Sequence, residues 1–293
     1  MLENISLSLP DSSFVVLLGK NGSGKSTLLK ILSGILPYEK GAVSIDNRDL
    51  NQFSPKERSR MLGYLPQHFR MVFPFSVEEV VMTGRAAHVA FRPGKKDRAM
   101  VREAMERSGI IHLRNRPFTE ISGGEQQLAR IARVLSQAPS RILLDEPATH
   151  LDLFNQARVL GLLEELVDSG LTVVAVLHDP NAAFVYEDHF VLLKDGKRYA
   201  IEAHQQPWDE TVLQHVYDIP LECVPYRDRA LVAPALHNPV KHRNNPDPKK
   251  HGPPFGQGTA RSSPARHIGA KLAHGGVSSF QCRLCPALER WIN

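Results

Sequence analysis

The sequence predicts an α/β fold with a largely parallel sheet, a helical section inserted in its middle, and a C-terminal tail outside the folded body. Three observations carry this reading. Short runs rich in Val, Ile and Leu recur along the chain, several of them continuously apolar, as strands buried on both faces are. Helical patterns lie between them, and strands alternating with helices of this length close into a mostly parallel sheet. After about residue 236 the texture turns to Pro, Gly, Ser and Arg without apolar periodicity.

The strand-like runs are Phe14–Gly19, Ala42–Asp46, Leu62–Pro66, Arg141–Asp145, Leu171–His178 and Phe190–Lys194. A helix over Ser26–Leu36 starts directly after a glycine-rich turn. Glu125–Gln137 sets Leu128, Ile131 and Leu135 on one face, and Gln156–Val167 does the same with Val159, Leu160, Leu163, Leu166 and Val167. Between Gln67 and Ile121 no buried strand is visible, and Ser76–Arg85 and Lys96–Ser108 read as helices. Residues 68–121 are therefore expected to form a helical subdomain within a domain spanning 1–236. Residues 237–293 are expected to be a disordered, basic, low-complexity tail.

Composition narrows the class. The chain of 293 residues is 42% hydrophobic and 23% charged, ordinary for a globular protein. No run approaches the roughly 18 to 20 apolar residues of a membrane-spanning helix. The N-terminus lacks the pattern of a secretory signal, so the chain is expected to stay on the side of the membrane where it is made. The net charge is +5, but residues 238–293 carry nine Lys/Arg against two Asp/Glu, which leaves the body at −2. The body thus gives no charge argument for a nucleic-acid partner. Three cysteines, Cys223, Cys282 and Cys285, fit a reducing compartment better than a disulfide framework. Cys282 and Cys285 have metal-like spacing, yet no second pair completes a four-ligand site, and chance spacing is the better reading.

The chemistry begins at Gly19-Lys20-Asn21-Gly22-Ser23-Gly24-Lys25-Ser26-Thr27, which matches G-x-x-x-x-G-K-[ST] between a strand and a helix. Gly19, Gly22 and Gly24 let the backbone of Asn21, Ser23 and their neighbours wrap a phosphate with N–H groups inward, and the helix that opens at Lys25–Thr27 adds its N-terminal dipole. Lys25 is placed to reach β- and γ-phosphates, and the Ser26 hydroxyl to bind Mg²⁺. This loop alone does not distinguish kinase, GTPase or transporter motor. The strand Arg141–Asp145 ends in two carboxylates. Taken singly such a pair is often a solvated loop start. After a hydrophobic strand, in a chain with a phosphate loop, Asp145 would hold Mg²⁺ through water and Glu146 would polarise the attacking water.

Ile121-Ser122-Gly123-Gly124-Glu125-Gln126 resembles the signature sequence of the ABC ATPase family, with Ile for the usual Leu and Glu for the usual Gln. Physically, Ser122, Gly123 and Gly124 sit at a helix N-terminus and could bind a second anion, or Ser122 could be a plain helix cap. Three more pieces resemble the family in order. Tyr64-Leu-Pro-Gln67 is similar to its Q-loop, Thr149-His150-Leu151-Asp152 to its D-loop, and His178 to its switch histidine. The set spans residues 19–178.

That resemblance implies an ATPase using ATP and Mg²⁺, with Gln67 touching the metal and the lytic water, Glu146 as general base and His178 sensing the γ-phosphate. It also implies two such subunits packed head to tail, each closing Ser122 and Gly124 over the other's nucleotide, with Asp152 crossing between them. Two departures stand out: no aromatic residue precedes Phe14 to stack on adenine, and Ala148 occupies a position where Thr is common.

Within the family, Val81-Met-Thr-Gly84-Arg85 with His88, Ala175-Val-Leu-His178-Asp179-Pro180-Asn181-Ala182-Ala183, and Val216-Tyr217-Asp218-Ile219-Pro220 resemble ATPases of importers for iron–siderophore complexes, haem and cobalamin. This implies a peripheral subunit on the cytoplasmic face of the cell membrane, docked on a separate polytopic permease and served indirectly by an extracytoplasmic binding protein. Phe69, Val72, Phe73 and Phe75 could receive a permease helix or form subdomain core. Two other readings stay open: a soluble, non-transport ATPase of the iron–sulfur assembly type, and an inactive truncated cassette. Repair-type enzymes would need a coiled-coil insertion that the 55 residues from Gln67 to Ser122 do not accommodate, and translation factors would need a second phosphate loop.

Overall fold

The computed structural model describes residues 2–69, 74–186, 189–202, 204–227, 229–235 and 280–284. Strand β1 (Ile5–Leu9) alternates, burying Ile5, Leu7 and Leu9. Strand β2 (Phe14–Leu18) is buried at all five positions because both of its faces are covered. Phe14, Val16 and Leu18 belong to one core, Val15 and Leu17 to the other. Each such side chain contributes about 1.5–3 kcal/mol when removed from water.

Four further strands flank β2 in parallel or prolong the sheet: β5 (Leu62–Leu65), β6 (Arg141–Asp145), β7 (Thr172–Val176) and β8 (His189–Lys194). With β9 (Lys197–Tyr199) they form a six-stranded sheet in the order β5-β6-β7-β2-β8-β9. All neighbours run parallel except β9, which turns back antiparallel on β8. The strands expected at 14–19, 62–66, 141–145, 171–178 and 190–194 are therefore present in one sheet.

The run at Ala42–Asp46 goes elsewhere. Strands β3 (Ala42–Ile45) and β4 (Arg48–Asp49) belong to a separate antiparallel sheet ordered β1-β12-β3-β4. Its second member in space, β12 (Phe280–Leu284), is supplied from the far end of the chain, with Cys282 opposite Leu7 on one side and Val43 on the other. Backbone groups of β1 and β3 that would otherwise face each other across a strand-wide gap are paired through it. These five residues thus depart from the disorder expected over 237–293; the rest of that stretch, Cys285 included, lies outside the described residues. Cys282 is fully buried in the second core, and burial pushes its thiol up to about 12.

Helices cover the sheet. Helix α1 (Lys25–Leu32) follows β2, and α2 (Pro55–Met61) starts in a capping box of Ser54 and Glu57. The helical section comprises α3 (Val77–Met82), α4 (Lys95–Arg107) and α5 (Gly123–Leu135), packed through Val80, Val81, Val101, Met105, Leu128 and Ile131. After α3 a short 3-10 helix, Thr83–Ala87, lies so close to α5 that a Cβ on Gly84 would stand 2.0 Å from the Arg133 carbonyl. The neighbouring Arg85 is buried, donating to Asp97 at 3.0 Å and to the Ser136 carbonyl at 2.8 Å. His88 contacts the Gln137 carbonyl at 2.9 Å, and burial followed by the Arg85 charge lowers its pKa. The Gly84–Arg85–His88 pattern therefore fastens the subdomain to the C-terminal end of α5.

The chain continues through α6 (Leu153–Asp168), α7 (Pro180–Tyr186) and α8 (Glu210–Tyr217) to a hairpin of β10 (Leu221–Tyr226) and β11 (Arg229–Pro234). Among the described residues no helix is long and apolar enough to cross a membrane.

Candidate functional site

The site is built where β2, β6 and β7 end side by side. The turn after β2 takes positive φ at Gly19 (146°), Gly22 (81°) and Gly24 (100°), a conformation open to glycine. Gly24 is the cap residue of α1 and carries no side chain to satisfy the first amides, so those N–H groups remain available to a ligand. Lys25 folds back over this turn. Its Nζ donates to the carbonyls of Gly19 at 2.7 Å and Lys20 at 2.9 Å. Burial lowers its pKa, opposed by the charges of Glu146 and Asp145.

Ser26, one residue on, donates to Asp145 Oδ1 at 2.7 Å. Asp145 closes β6 and is buried, which raises its pKa; the Ser26 hydrogen bond acts in the opposite direction. A hydroxyl and a carboxylate thus stand together at the mouth of the loop. That donor set suits Mg²⁺, which takes one or two protein oxygens and completes its shell with phosphate and water.

Glu146 follows with a positive φ of 57°, and the turn it makes carries its carboxylate into the cleft. Both oxygens are engaged. Gln67 Nε2 donates to Oε2 at 2.7 Å, and His178 Nε2 lies 2.5 Å from Oε1. Gln67 comes from the segment after β5 and His178 from the residues after β7, so two separate elements converge on one carboxylate. The cleft, about 340 Å³, has Asn21, Gly22, Gly24 and Lys25–Thr27 on one side and Gln67, Glu146 and His178 on the other. Ser23, within the loop, is buried.

The remaining expected residues lie apart from this cleft. Ser122 caps α5: its hydroxyl accepts from the Glu125 amide at 3.3 Å, and Glu125 Oε2 accepts from the Ser122 amide at 2.8 Å. Nothing lies within 4 Å of a Cβ placed on Gly123, whereas one on Gly124 would stand 2.2 Å from Asn155. Asp152 caps α6, accepting from the Asn155 amide at 2.8 Å and its side-chain nitrogen at 2.9 Å. Asn155 was not among the expected site residues, yet it joins Asp152 to Gly124; the Asp-x-x-Asn spacing at a helix start is the signal that could have found it. Gln67, expected near the metal as well as the water, contacts Glu146.

Of the aromatic residues after Gln67, Phe69 is packed inward. Its ring meets Phe118 edge-on at 6.0 Å, and the Arg130 and Arg133 guanidinium groups stand 5.6 and 4.9 Å from its centroid. Phe75 is 45% exposed. Val72 and Phe73 lie outside the described residues.

Residues 2–149 match the family described as ABC transporter. The hemin import ATP-binding protein HmuV of Pseudomonas entomophila is 38% identical over 234 residues, covering 78% of this chain and 91% of the relative. The ferric enterobactin transport ATP-binding protein FepC of Escherichia coli is 37% identical over 220 residues, covering 74% and 81%. The chain spans 50% of the length of YvrA of Bacillus subtilis, an uncharacterized ABC transporter ATP-binding protein to which it is 38% identical. Among solved structures, an inward-facing transporter assigned to the metal-chelate type matches with a TM-score of 0.64 at 29% identity, covering 78% of this chain and 89% of that one. A dimeric bacterial ABC transporter cassette matches with a TM-score of 0.61 at 30% identity, covering 70% and 91%. The chain belongs to the ABC transporter family, as one of its ATP-binding, ATP-hydrolysing cassettes.

Proposed function

We propose that the chain is the ATPase subunit that powers import of an iron chelate, a ferric siderophore or haem, through a separate polytopic permease. The observation that carries this is a complete one-sided nucleotide cleft in a chain similar along most of its length to hemin and ferric enterobactin import ATP-binding proteins. In this reading it sits peripherally on the cytoplasmic face of the membrane, with an extracytoplasmic binding protein delivering the chelate.

Mechanistically, Lys25 leaves the Gly19 and Lys20 carbonyls and donates to the β- and γ-phosphate oxygens of ATP, joining the free amides of the loop and of the first turn of α1. Ser26 and Asp145, which meet at 2.7 Å, would hold Mg²⁺, and the ion would neutralise phosphate charge. Glu146 takes a proton from the attacking water while the bond from the γ-phosphorus to the ADP oxygen breaks, giving ADP and phosphate. His178 and Gln67, each already on one Glu146 oxygen, orient that carboxylate and must loosen to admit the water. Ser122 and Gly124, which do not line this chain's own cleft, act on the nucleotide of a second copy packed head to tail.

The test is a pull-down of tagged Glu146→Gln chain with Mg-ATP from detergent-solubilised membranes of the source organism. The variant is expected to bind ATP, to hydrolyse it at least about a hundredfold more slowly than the parent, and to carry a polytopic permease with it. Recovery of soluble partners alone would sink the importer reading and favour an assembly-type ATPase. Normal turnover would remove Glu146 as the base.

A further inference from the structure

We propose that Asp218 is a positioning residue of the phosphate-binding loop, holding it from outside through Lys20. Lys20 is the second residue of the loop, and its Nζ donates to Asp218 Oδ2 at 2.5 Å. The other oxygen, Oδ1, accepts from Lys194 Nζ at 2.6 Å, at the end of β8. One carboxylate thus bridges the loop to the strand beside it. Asp218 ends α8 in the left-handed region, φ 56° and ψ 32°, a conformation that Asp tolerates better than most residues. Lys194 also donates to the His215 carbonyl at 2.6 Å, taking up an end carbonyl of the same helix.

The surroundings make this a brace rather than a chance surface pair. Gly19, where the loop begins, is pressed against β8: a Cβ there would stand 2.1 Å from the Leu193 carbonyl. The Gly196 amide donates to the Ser23 carbonyl at 3.2 Å, so the β8–β9 turn also supports the loop. Tyr217, next to Asp218, is packed beside the Gly19 backbone, and burial pushes its phenol up to about 12. Asp195 stands 3.4 Å from Lys20 Nζ as a weaker second anion. The two lysines, Lys194 first, hold the Asp218 carboxyl at about 2, so the bridge is charged at any working pH.

The link to function runs through the Lys20 backbone. Its carbonyl is one of the two oxygens that hold Lys25 at rest. With the Lys20 side chain tethered outward, that carbonyl stays where Lys25 can leave it for phosphate. Releasing the tether therefore alters how well the loop receives nucleotide, while Glu146, His178 and Gln67, which are not attached to it, keep their arrangement. Both partners are partly exposed, 37% for Lys20 and 44% for Asp218, so the effect is modest and sensitive to salt.

This rests on the Gly19–Thr27 turn binding nucleotide, which mant-ATP titration of the parent and of Lys25→Ala tests separately. If the parent fails to bind, the loop reading falls and this inference with it. Given binding, Asp218→Asn in the full chain is expected to raise the mant-ATP Kd and the KM for ATP about three- to fivefold, with kcat within about twofold. Asp218→Glu should recover much of the loss. Lys20→Gln should come close to Asp218→Asn, and the double variant should fall well short of the summed losses, because both substitutions remove the same Lys20–Asp218 contact. The ratio to the parent should shrink as NaCl rises from about 50 mM to about 500 mM. An unchanged KM, additive losses in the double variant, or a drop in kcat and Tm at constant KM would overturn the proposal. Lys20→Gln alters only an exposed side chain, so the test survives even if α8 tolerates no change at Asp218.

Discussion

Two helix N-termini in this molecule carry glycine and serine in similar order, and the structure leaves them in opposite conditions. At α1 the cap is Gly24, in a left-handed conformation and without a side chain, so the first amides have no side-chain cap and the Lys25 Nζ donates to backbone carbonyls. At α5 the cap is Ser122 in an extended conformation, and Ser122 and Glu125 satisfy each other's amides. The first end is built to receive an anion from its own chain's cleft. The second is closed on itself by its capping box and does not line that cleft; in the proposed head-to-tail arrangement it would face another copy's nucleotide.

The largest effect should come from the open end. Lys25→Ala removes two charge-assisted donors to phosphate, each worth about 1.5–3 kcal/mol, so nucleotide affinity should fall by about a hundredfold or more. Fluorescent-nucleotide titration reads this directly, and near-normal affinity would mean the amides alone hold the phosphates. The glycines sharpen the contrast. Gly24→Ala forces a side chain into φ 100° and against Leu2, 2.4 Å from the new Cβ. Binding should weaken strongly and stability should fall by about 1–2 kcal/mol. Gly123→Ala meets nothing within 4 Å. Its stability should hold or rise by up to about 1 kcal/mol, so a loss of hydrolysis there reports the approach of a second copy. Equal behaviour of the two alanines, in Tm and in turnover, would break the distinction.

How far the sequence alone reaches follows from the range of the interactions. The phosphate loop is legible because its glycines, lysine and serine act within nine consecutive residues. Strands β2, β6 and β7 are legible because both faces are buried and the whole run must be apolar. Ala42–Ile45 is legible as a strand but not as a member of an antiparallel sheet, since four residues of mixed burial look the same in either. The pairing of β12 with β1 joins residues almost the full chain apart, and no local pattern in a Pro- and Gly-rich stretch announces it. Within the site, Gln67, Glu146 and His178 are each recognisable by position. That the first and last take opposite oxygens of the middle one depends on three strands ending at one level. Asp218 was visible only as part of a family-like ending, because its partner Lys20 is 198 residues away.

The smallest effects test whether the closed end is only a cap. Ser122→Ala deletes the oxygen that accepts from the Glu125 amide and should cost about 1 kcal/mol, a fall in Tm of about 2–4 °C for a domain of this size. The Glu125 side adds a pH signature. Its carboxyl is held below its ordinary 4.5, first by the Ser122 amide and then by the Ser122 hydroxyl. A depressed carboxyl stabilises the fold above the unfolded value and loses that contribution as pH falls through the folded one. The Tm advantage of the parent over Glu125→Gln should therefore be present at pH 7 and shrink below about pH 4.5. An advantage that grows on acidification would reverse the sign and remove the capping box as its source. Hydrolysis then separates cap from ligand. If Ser122 merely caps α5, turnover per folded Ser122→Ala molecule stays near the parent value. If its hydroxyl is handed to the nucleotide of a second copy, the lost charge-assisted bond lowers turnover about tenfold or more, while nucleotide affinity of the isolated chain, set at α1, is unchanged.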